Sequence, residues 1–337
     1  MLSGSNTGFY FHQNPYSADG KTLVFFNRNA GLTNLWALDL ETLKTRPLTS
    51  EGTVYHAVAS RVRDELLYFT SDNSVRTVHL KTGNRRTLCR LPPECLLGNP
   101  TISCDGKLLV CGYYDRTQAP AEYTHAGMYD AKLENTLFRI DLETGRYAEF
   151  YKVRTWLTHI QCSPVDPDLL AYCYEGPWDR VPARIWLIRT DGSGNRALRD
   201  RQSDQEGWGH EFWLPDGRNM AYDLWTSRNP LVRKRFLAIT HIETRAEKRY
   251  PFEDDRWCVH FTVSHDGKRF AGDGSARHPT LFLIRLEGDQ ARFEMLCGVP
   301  KNDYSRTEPN VHFTPDGSGV IYTSNESGAD NLYMVQL

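Results

Sequence analysis

The sequence predicts an all-β fold, a seven-bladed β-propeller of four-stranded antiparallel blades. Three observations predict it. A short motif, a polar residue followed after three residues by a Ser-x-Asp-Gly-like turn, occurs seven times. Its copies lie about 43 to 60 residues apart, within or just above the spacing of propeller blades. Short apolar segments broken by Asp-Gly, Pro and Asn fill the chain, and they show no helical periodicity.

The copies of the motif define the seven blades. The clearest copies are 210–217, 260–267 and 310–317, and the looser ones turn at 17–20, 60–63, 103–106 and 163–166. Each turn leads into an apolar strand, then into an alternating strand that in two blades ends in Asp-Leu-Glu-Thr, then into a fourth strand. We therefore expect a single propeller domain over residues 1–337.

The end of the chain predicts how the ring closes. Residues 331–337 match the third strand of a blade, so the last blade lacks its fourth strand. We expect the N-terminal residues to supply that strand.

Two segments depart from the repeat. Residues 112–135 form a long insertion between two strands of the third blade, and 173–180 form an aromatic and charged loop in the fourth. Long irregular loops in compact folds usually bind ligands or act as lids.

Composition excludes several classes of function. The formal net charge is −2, so the basic surface that binds nucleic acid is not predicted. We find neither a signal peptide nor an apolar run long enough to span a bilayer. The eight cysteines form no CxxC pair, which favours reduced thiols in the cytoplasm.

The position four residues before each turn is polar in all seven copies, and we call this set the polar ring. Its members are Gln13, His56, Asn99, His159, His210, His260 and Asn310. Eleven histidines in the chain predict far fewer than one at seven positions, yet four are present. Because this stretch is the innermost strand of a blade, the ring predicts a polar site on the propeller axis.

Two interpretations of the ring stay open at this point. A single histidine on an inner strand often only bonds a backbone carbonyl in a wet channel. Four converging imidazoles instead suit a divalent metal such as Zn, Mn, Fe or Ni, or a general base that works near neutral pH. The segment that begins at His210 and Glu211 lacks the second histidine of a zincin motif, and neither a Gly-x-Ser-x-Gly elbow nor a P-loop is present.

The 173–180 loop carries a second candidate constellation. Trp178 offers a flat face for a sugar ring, and Arg180 and Arg184 offer guanidinium groups for a carboxylate. The competing interpretation is a loop that packs on its tryptophan and leaves its charges in water.

Several segments together resemble the oligogalacturonate lyase family. They follow the family order over nearly the whole chain, and the most specific are His-Glu-Phe-Trp and Glu-Gly-Pro-Trp. The segments are 10–14, 159–164, 175–178, 209–213 and 308–311.

This resemblance implies a seven-bladed propeller that degrades short galacturonides in the cytoplasm by β-elimination, with a divalent metal of the Mn type. By motif position, His159 matches the histidine proposed as the base of the family, and His210 matches a metal ligand. The remaining ligands fall around Ser305, Glu308 and Asn310, where the family more often uses Gln and His.

We accordingly expect three groups of site residues. The catalytic group comprises His159 as base and Arg139 and Arg184 as carboxylate partners. The metal ligands are His210, His260, Glu308 and Asn310. The residues expected to bind a small acidic oligosaccharide are His56, Asn99, Tyr174, Trp178 and Arg180. Tyr174 stands where the resemblance predicts a histidine before Glu-Gly-Pro-Trp.

The alternative from a different class is a propeller that has no catalytic activity and binds a sugar, peptide or protein. Fold alone does not decide between the two. A binding scaffold should carry its distinctive residues on outer loops, whereas here they concentrate at the axis.

Overall fold

A computed structural model describes residues 2–252 and 256–337 of the chain. Seven antiparallel sheets follow one another along the sequence, and strands that are consecutive in the chain pair, except that the first two strands of the third sheet both pair with its third. This arrangement is the predicted seven-bladed β-propeller.

The strands of the first four blades are as follows. Blade 1 contains β1 (Ser5–Thr7), β2 (Thr22–Asn29), β3 (Leu32–Asp39) and β4 (Thr45–Pro47). Blade 2 contains β5 (Val54–Ala59), β6 (Glu65–Thr70), β7 (Ser74–His79) and β8 (Arg85–Arg90). Blade 3 contains β9 (Cys95–Leu97), β10 (Thr101–Ile102), β11 (Leu108–Asp115), β12 (Glu134–Asp141) and β13 (Tyr147–Arg154). Blade 4 contains β14 (Leu157–Cys162), β15 (Leu169–Tyr174), β16 (Ile185–Arg189) and β17 (Arg196–Ala197).

The last three blades complete the ring. Blade 5 contains β18 (Gly207–Trp213), β19 (Asn219–Trp225), β20 (Arg235–His241) and β21 (Glu247–Pro251). Blade 6 contains β22 (Phe261–Val263), β23 (Arg269–Gly272), β24 (Thr280–Glu287) and β25 (Gln290–Gly298). Blade 7 contains β26 (His312–Phe313), β27 (Gly319–Ser324) and β28 (Asn331–Gln336).

The core lies between neighbouring blades. Ala221 and Leu237 of blade 5, for example, belong to one buried cluster with Phe261 and Phe270 of blade 6. Because each strand is apolar on faces turned toward adjacent sheets, sheet packs on sheet around the ring.

The Asp-Gly turns repeat one set of contacts. In the first copy the Ser17 hydroxyl donates to Asp19 Oδ1 at 2.7 Å, and Gly20 has φ +70°. The same hydroxyl–carboxylate bond recurs at Ser264 with Asp266 at 2.6 Å. A glycine after the aspartate is required because the chain there adopts a left-handed conformation.

The ring closes in another way than expected. The N-terminal strand β1 pairs with β2 in blade 1, and the described part of blade 7 has three strands, so our prediction that the N-terminus completes the last blade was wrong. Contacts at the seam hold the two blades together. The Asn6 N–H donates to the Asp330 carbonyl at 2.7 Å, and Asn6 Nδ2 donates to Asn331 Oδ1 at 2.9 Å.

The insertion 112–135 contains a 3₁₀ helix (Arg116–Gln118) and a short helix α1 (His125–Asp130). It docks on the loop that follows β15. The Tyr129 hydroxyl donates to the Arg180 carbonyl at 2.9 Å, and the Arg180 guanidinium pairs with Asp130. Within the described residues, no helix is long and apolar enough to cross a membrane.

Candidate active site

Three histidines of the polar ring meet at one mouth of the channel, around residues that the N-terminal segment inserts. The ring centroids of His210 and His260 are 5.1 Å apart. Tyr10 lies 5.6 Å from His159 and 5.1 Å from His260 between ring centroids, and Phe11 stacks on His260 at 4.6 Å. Blades 1, 4, 5 and 6 therefore contribute to one cluster.

The backbone at the polar ring is strained. His159 and His210 each have φ +50°, and Asn310 has φ +48°. The pairing of β14 with β15, and of β18 with β19, shifts register at these histidines. A non-glycine residue in this region costs on the order of 1–3 kcal/mol and persists mainly where side-chain placement matters. The bulges aim the two imidazoles into the channel.

A buried aspartate holds each of two ring histidines by the same nitrogen. His210 Nδ1 donates to Asp223 Oδ1 at 2.9 Å, and His260 Nδ1 donates to Asp273 Oδ2 at 2.9 Å. The carboxylate accepts only, so Nδ1 carries the proton and Nε2 keeps its lone pair. Burial opposes the charged form of His210, but Asp223 outweighs it and raises the pKa of His210.

His159 takes a different partner, from the next blade. Its Nδ1 donates to Glu211 Oε1 at 3.0 Å, and Glu211 is fully buried. The Tyr10 hydroxyl lies 3.2 Å from His159 Nε2, which it reaches as donor. Burial alone raises the pKa of Glu211, yet His159 and Arg184 lower it below its usual value. Burial and then the Glu308 carboxylate raise the pKa of Tyr10 well above its usual value, so the hydroxyl keeps its proton.

The loop after β15 contributes a buried ion pair. The Arg184 guanidinium bonds both oxygens of Glu175, at 2.6 and 2.8 Å, and lies over Trp178 at 4.6 Å. Burial opposes ionisation of Glu175, but Arg184 and His159 lower its pKa to about 2. Gly209 is required here because a Cβ at this position would lie 2.6 Å from the Trp178 ring.

Glu308 and Asn310 complete the rim on blade 7. Glu308 Oε2 lies 3.8 Å from His260 Nε2. Burial raises the pKa of Glu308, although His260 opposes the shift. Asn310 Oδ1 accepts from the Phe11 N–H at 3.1 Å, which fastens the inserted N-terminal segment.

The site carries an excess of negative charge. One arginine, Arg184, lies among five acidic side chains within the described part of the chain. Four of these acids are buried and Glu308 is about one-third exposed. The five are Glu175, Glu211, Asp223, Asp273 and Glu308. Such a cluster, with histidine lone pairs beside it, favours a cation as its occupant.

A group of three potential ligands does not make a good metal site. Ligand atoms of His159, Cys173 and Glu175 lie within 4.8 Å of one another. However, Arg184 already occupies both oxygens of Glu175. Burial also raises the pKa of the Cys173 thiol well above its usual value, which disfavours the thiolate that a metal needs. His260 and Glu308 are the better pair of metal ligands. Nδ1 of His260 is held by the Asp273 carboxylate, as is usual for a metal-ligating histidine, and Nε2 faces Glu308.

Other predicted residues lie elsewhere. His56 Nε2 bonds the Leu97 carbonyl at 3.2 Å, and Asn99 contributes a further hydrogen bond to His56. These two members of the polar ring satisfy local groups on blades 2 and 3. Burial lowers the pKa of His56 to about 4.

Three further expectations are corrected by the geometry. The Tyr174 hydroxyl lies 2.9 Å from that of Tyr151, inside a tyrosine cluster between blades, so it does not face the channel. Arg139 lies on the third strand of its blade and donates to the Thr190 carbonyl at 2.8 Å, away from the polar ring. The Arg180 guanidinium is engaged with Asp130 of the insertion rather than free for substrate.

Sequence reasoning missed four residues of the site: Tyr10, Glu211, Asp223 and Asp273. A signal existed for the last two. Each is an acid in an otherwise apolar second strand, in Ala-Tyr-Asp and Ala-Gly-Asp, at the same place in consecutive repeats. For Tyr10 the first repeat gave no such signal, because it precedes the aligned position Gln13.

Comparisons with known proteins show which family the chain resembles. A family model described as oligogalacturonate lyase matches residues 5–280. An oligogalacturonate lyase of Dickeya dadantii (strain 3937) is 27% identical over 356 residues, covering 97% of this chain and 89% of that protein. Among solved structures, an oligogalacturonate lyase in complex with manganese superposes with a TM-score of 0.88 at 27% identity, covering 99% of this chain and 90% of that one.

A second solved structure, the oligogalacturonate lyase of Vibrio parahaemolyticus, also gives a TM-score of 0.88, at 26% identity. It covers 99% of this chain and 91% of that one. Sequence and fold agree over nearly the full length of these proteins, and the family model matches most of the chain. This chain belongs to the oligogalacturonate lyase family.

Proposed function

We propose that the protein cleaves short oligogalacturonides by β-elimination at the polar ring, with a divalent cation and a histidine base. One observation carries the proposal. His210 and His260 converge on the axis with Nδ1 held by buried aspartates, which leaves Nε2 of each with a lone pair. A base and a metal ligand both require such a nitrogen.

The donor set supports a hard or borderline divalent cation, Mn most of all. His260 Nε2 and the Glu308 carboxylate would hold it, and His210 lies beside His260. The Asn310 side chain bonds the Phe11 N–H and the Glu308 carbonyl and so adjoins the pair. Nitrogen and oxygen donors together suit Mn, and one solved relative is an oligogalacturonate lyase in complex with manganese. Bound there, the cation would neutralise the substrate carboxylate and so acidify the neighbouring C–H bond.

We propose a different assignment of the two histidine roles from the one expected from the sequence. His159, the expected base, has both nitrogens engaged, with Glu211 and with Tyr10. His210, the expected ligand, has no protein partner at Nε2 within the described residues and is partly open to the channel. We therefore assign proton acceptance to His210 and a positioning role to His159.

The reaction follows from these positions. The proton at C5 of the uronate passes to Nε2 of His210, and the C5–H electron pair forms the C4–C5 double bond as the C4–O4 bond breaks. Water protonates the departing O4. Trp178 lies 6.4 Å from His210 between ring centroids and, with Arg184 over its ring, would border the sugar that His210 deprotonates. Arg184 stays charged because the carboxylates of Glu175 and Glu211 lie beside it, and its ion pair with Glu175 holds the loop after β15 in place.

The sequence argument for a cytoplasmic protein also stays a proposal. All eight cysteines are free in the structure, including buried Cys95, Cys111, Cys173 and Cys258. Free thiols in this number are typical of a reducing compartment.

The base assignment can be tested with two matched histidine variants. Digalacturonate turnover is measured for wild type, His210→Gln and His159→Gln, with protein treated with a chelator and then reloaded with Mn²⁺. We expect His210→Gln to lower kcat by at least 100-fold while the bound Mn²⁺, measured by elemental analysis, stays near wild type. His159→Gln should lower kcat less. The reverse order would return the base role to His159, and loss of Mn²⁺ from His210→Gln would make His210 a ligand.

A further inference from the structure

The channel has a cavity on the far side of the inserted N-terminal segment from the three converging histidines. Its volume is about 510 Å³. The second residue of every motif turn lines it, so the seven repeats present seven equivalent positions to one space. These residues are Ala18, Arg61, Cys104, Pro164, Pro215, His265 and Pro315.

This cavity is separate from the candidate active site. Neither the three converging histidines nor Glu308 lines it. The N-terminal segment crosses the channel between the two spaces, and Gln13 fastens it by donating to the Ala57 and Pro100 carbonyls at 3.0 and 3.3 Å. Phe11 and His12 form part of the cavity wall.

Arg61 is the unusual residue among the seven. Five of the other positions hold proline, alanine or cysteine, which suit a tight turn, and turn chemistry gives no reason for a guanidinium. Arg61 protrudes into the channel and has no carboxylate partner among the described residues. Arg61 is exposed to this space, and desolvation by the channel walls lowers its pKa.

The acids near this cavity are already engaged. Asp19 also lines the cavity, but it accepts from its own turn and pairs with Lys81 at 3.2 Å. Asp266 and Asp316 accept from hydroxyl groups of their own turns at 2.6 Å. Among the described residues that line the cavity, Arg61 therefore carries a permanent charge that no neighbouring carboxylate neutralises.

A second unsatisfied group faces the same space. His12 Nε2 is buried and has no hydrogen-bond partner among residues 2–252 and 256–337. Its cavity neighbour His312 bonds the Phe9 carbonyl at 3.1 Å and lies close enough to Arg61 for the guanidinium to lower the pKa of His312 further. A buried polar atom without a partner usually indicates a missing ligand or water.

We infer that this cavity binds a small oxyanion, a carboxylate or phosphate carried by a molecule of about monosaccharide size, with Arg61 as its principal partner. A guanidinium suits either group because its N–H bonds match two oxygens at once. The volume lies within the range of about 300–1,000 Å³ typical of small-molecule sites. The site does not depend on the lyase activity proposed above.

Isothermal titration calorimetry tests this inference with two probes, inorganic phosphate and D-galacturonate. The proteins are wild type, Arg61→Gln, Arg61→Lys and the control Arg63→Gln, which alters an arginine of the same turn outside the cavity. A His210→Gln protein separates this cavity from the active site. Circular dichroism checks that each variant is folded.

We expect at least one probe to bind wild type, Arg63→Gln and His210→Gln equally, and to bind Arg61→Gln at least tenfold more weakly. The affinity of Arg61→Lys should lie between the two, because lysine keeps the positive charge but lacks the paired N–H groups of a guanidinium. If Arg61→Gln does not fold, Arg61→Lys replaces it in the comparison. Binding of phosphate alone or galacturonate alone identifies the source of the oxyanion. Equal affinity in Arg61→Gln, or no binding of either probe to wild type, overturns the inference.

Discussion

Asp223 and Asp273 give the site its chemistry by holding two imidazoles through Nδ1. A neutral imidazole rotates and changes tautomer unless its second nitrogen is fixed, so the aspartates decide which nitrogen faces the channel. The equivalent place in blade 4 holds Cys173, and His159 there takes Glu211 of the next blade instead. The three histidines are therefore not equivalent, although the repeat makes them look so.

Substitution Asp273→Asn should weaken Mn²⁺ binding by about 10- to 100-fold, because His260 loses the carboxylate that orients it. The measurement is a Mn²⁺ titration followed by electron paramagnetic resonance of the free ion. Asp266→Asn is the matched control, since Asp266 belongs to the same blade but bonds only its own exposed turn. Unchanged Mn²⁺ affinity in Asp273→Asn would remove His260 from the ligand set.

The sequence predicted the ring positions but not their partners. Alignment on the turns identified His159, His210 and His260 because the repeat fixes their place on the inner strand. It could not show that Tyr174 and Arg139 turn away from the channel, since neither belongs to the aligned position. Tyr10 and Glu211 escaped because their contacts join different blades, and such contacts depend on the closed ring.

Among the larger elements, the insertion 112–135 and the loop after β15 act as one wall beside the site. Tyr129 packs against Gly176, where a Cβ would lie 2.6 Å from the tyrosine ring. Trp178, on the same loop, touches Trp225 at 4.3 Å between ring centroids and so reaches blade 5. The long insertion could therefore affect binding by holding the loop that carries Trp178 in place.

Arg180→Gln should raise KM for short oligogalacturonides severalfold and leave the unfolding free energy close to that of the wild type, since the Asp130 pair is solvent-exposed. Steady-state kinetics on digalacturonate and trigalacturonate measure the first quantity, and urea unfolding measures the second. Arg189→Gln serves as control because Arg189 makes a similarly exposed pair with Asp166 within blade 4. Equal KM values for the two variants would show that the insertion does not position the loop.

Across the whole ring, the seam between blades 1 and 7 and the inserted N-terminal segment link the fold to the site. Asn6, which bonds blade 7 at the seam, lies just before Tyr10 and Phe11, the residues that enter the channel. The prediction of one domain over residues 1–337 stays a prediction. The fold class followed from the spacing of the turns, whereas the closure did not, because pairing of β1 with β2 depends on contacts at a distance in sequence.

Stability should fall as the pH drops from about 6.5 towards 4. Burial lowers the pKa of His312 and of His56 to about 4 in the folded protein. In this window the unfolded chain binds protons that the folded chain does not, so acid favours unfolding, by up to about 3 kcal/mol for His312. Urea unfolding between pH 7 and 4.5 measures the slope.

The pH dependence should be shallower in His312→Gln than in wild type and unchanged in His125→Gln, which alters an exposed histidine of the insertion. A slope that is the same in all three proteins would mean that His312 accepts its proton without disturbing the fold.

The central claim is that the polar ring eliminates rather than hydrolyses. The most direct test is to digest digalacturonate in water enriched in ¹⁸O with Mn²⁺-loaded protein and to weigh both products by mass spectrometry. Elimination predicts that the two product masses sum to that of the substrate, that one product carries the new double bond, and that neither contains ¹⁸O from cleavage. Products heavier by one added water, with ¹⁸O in the new hydroxyl group, would contradict the account.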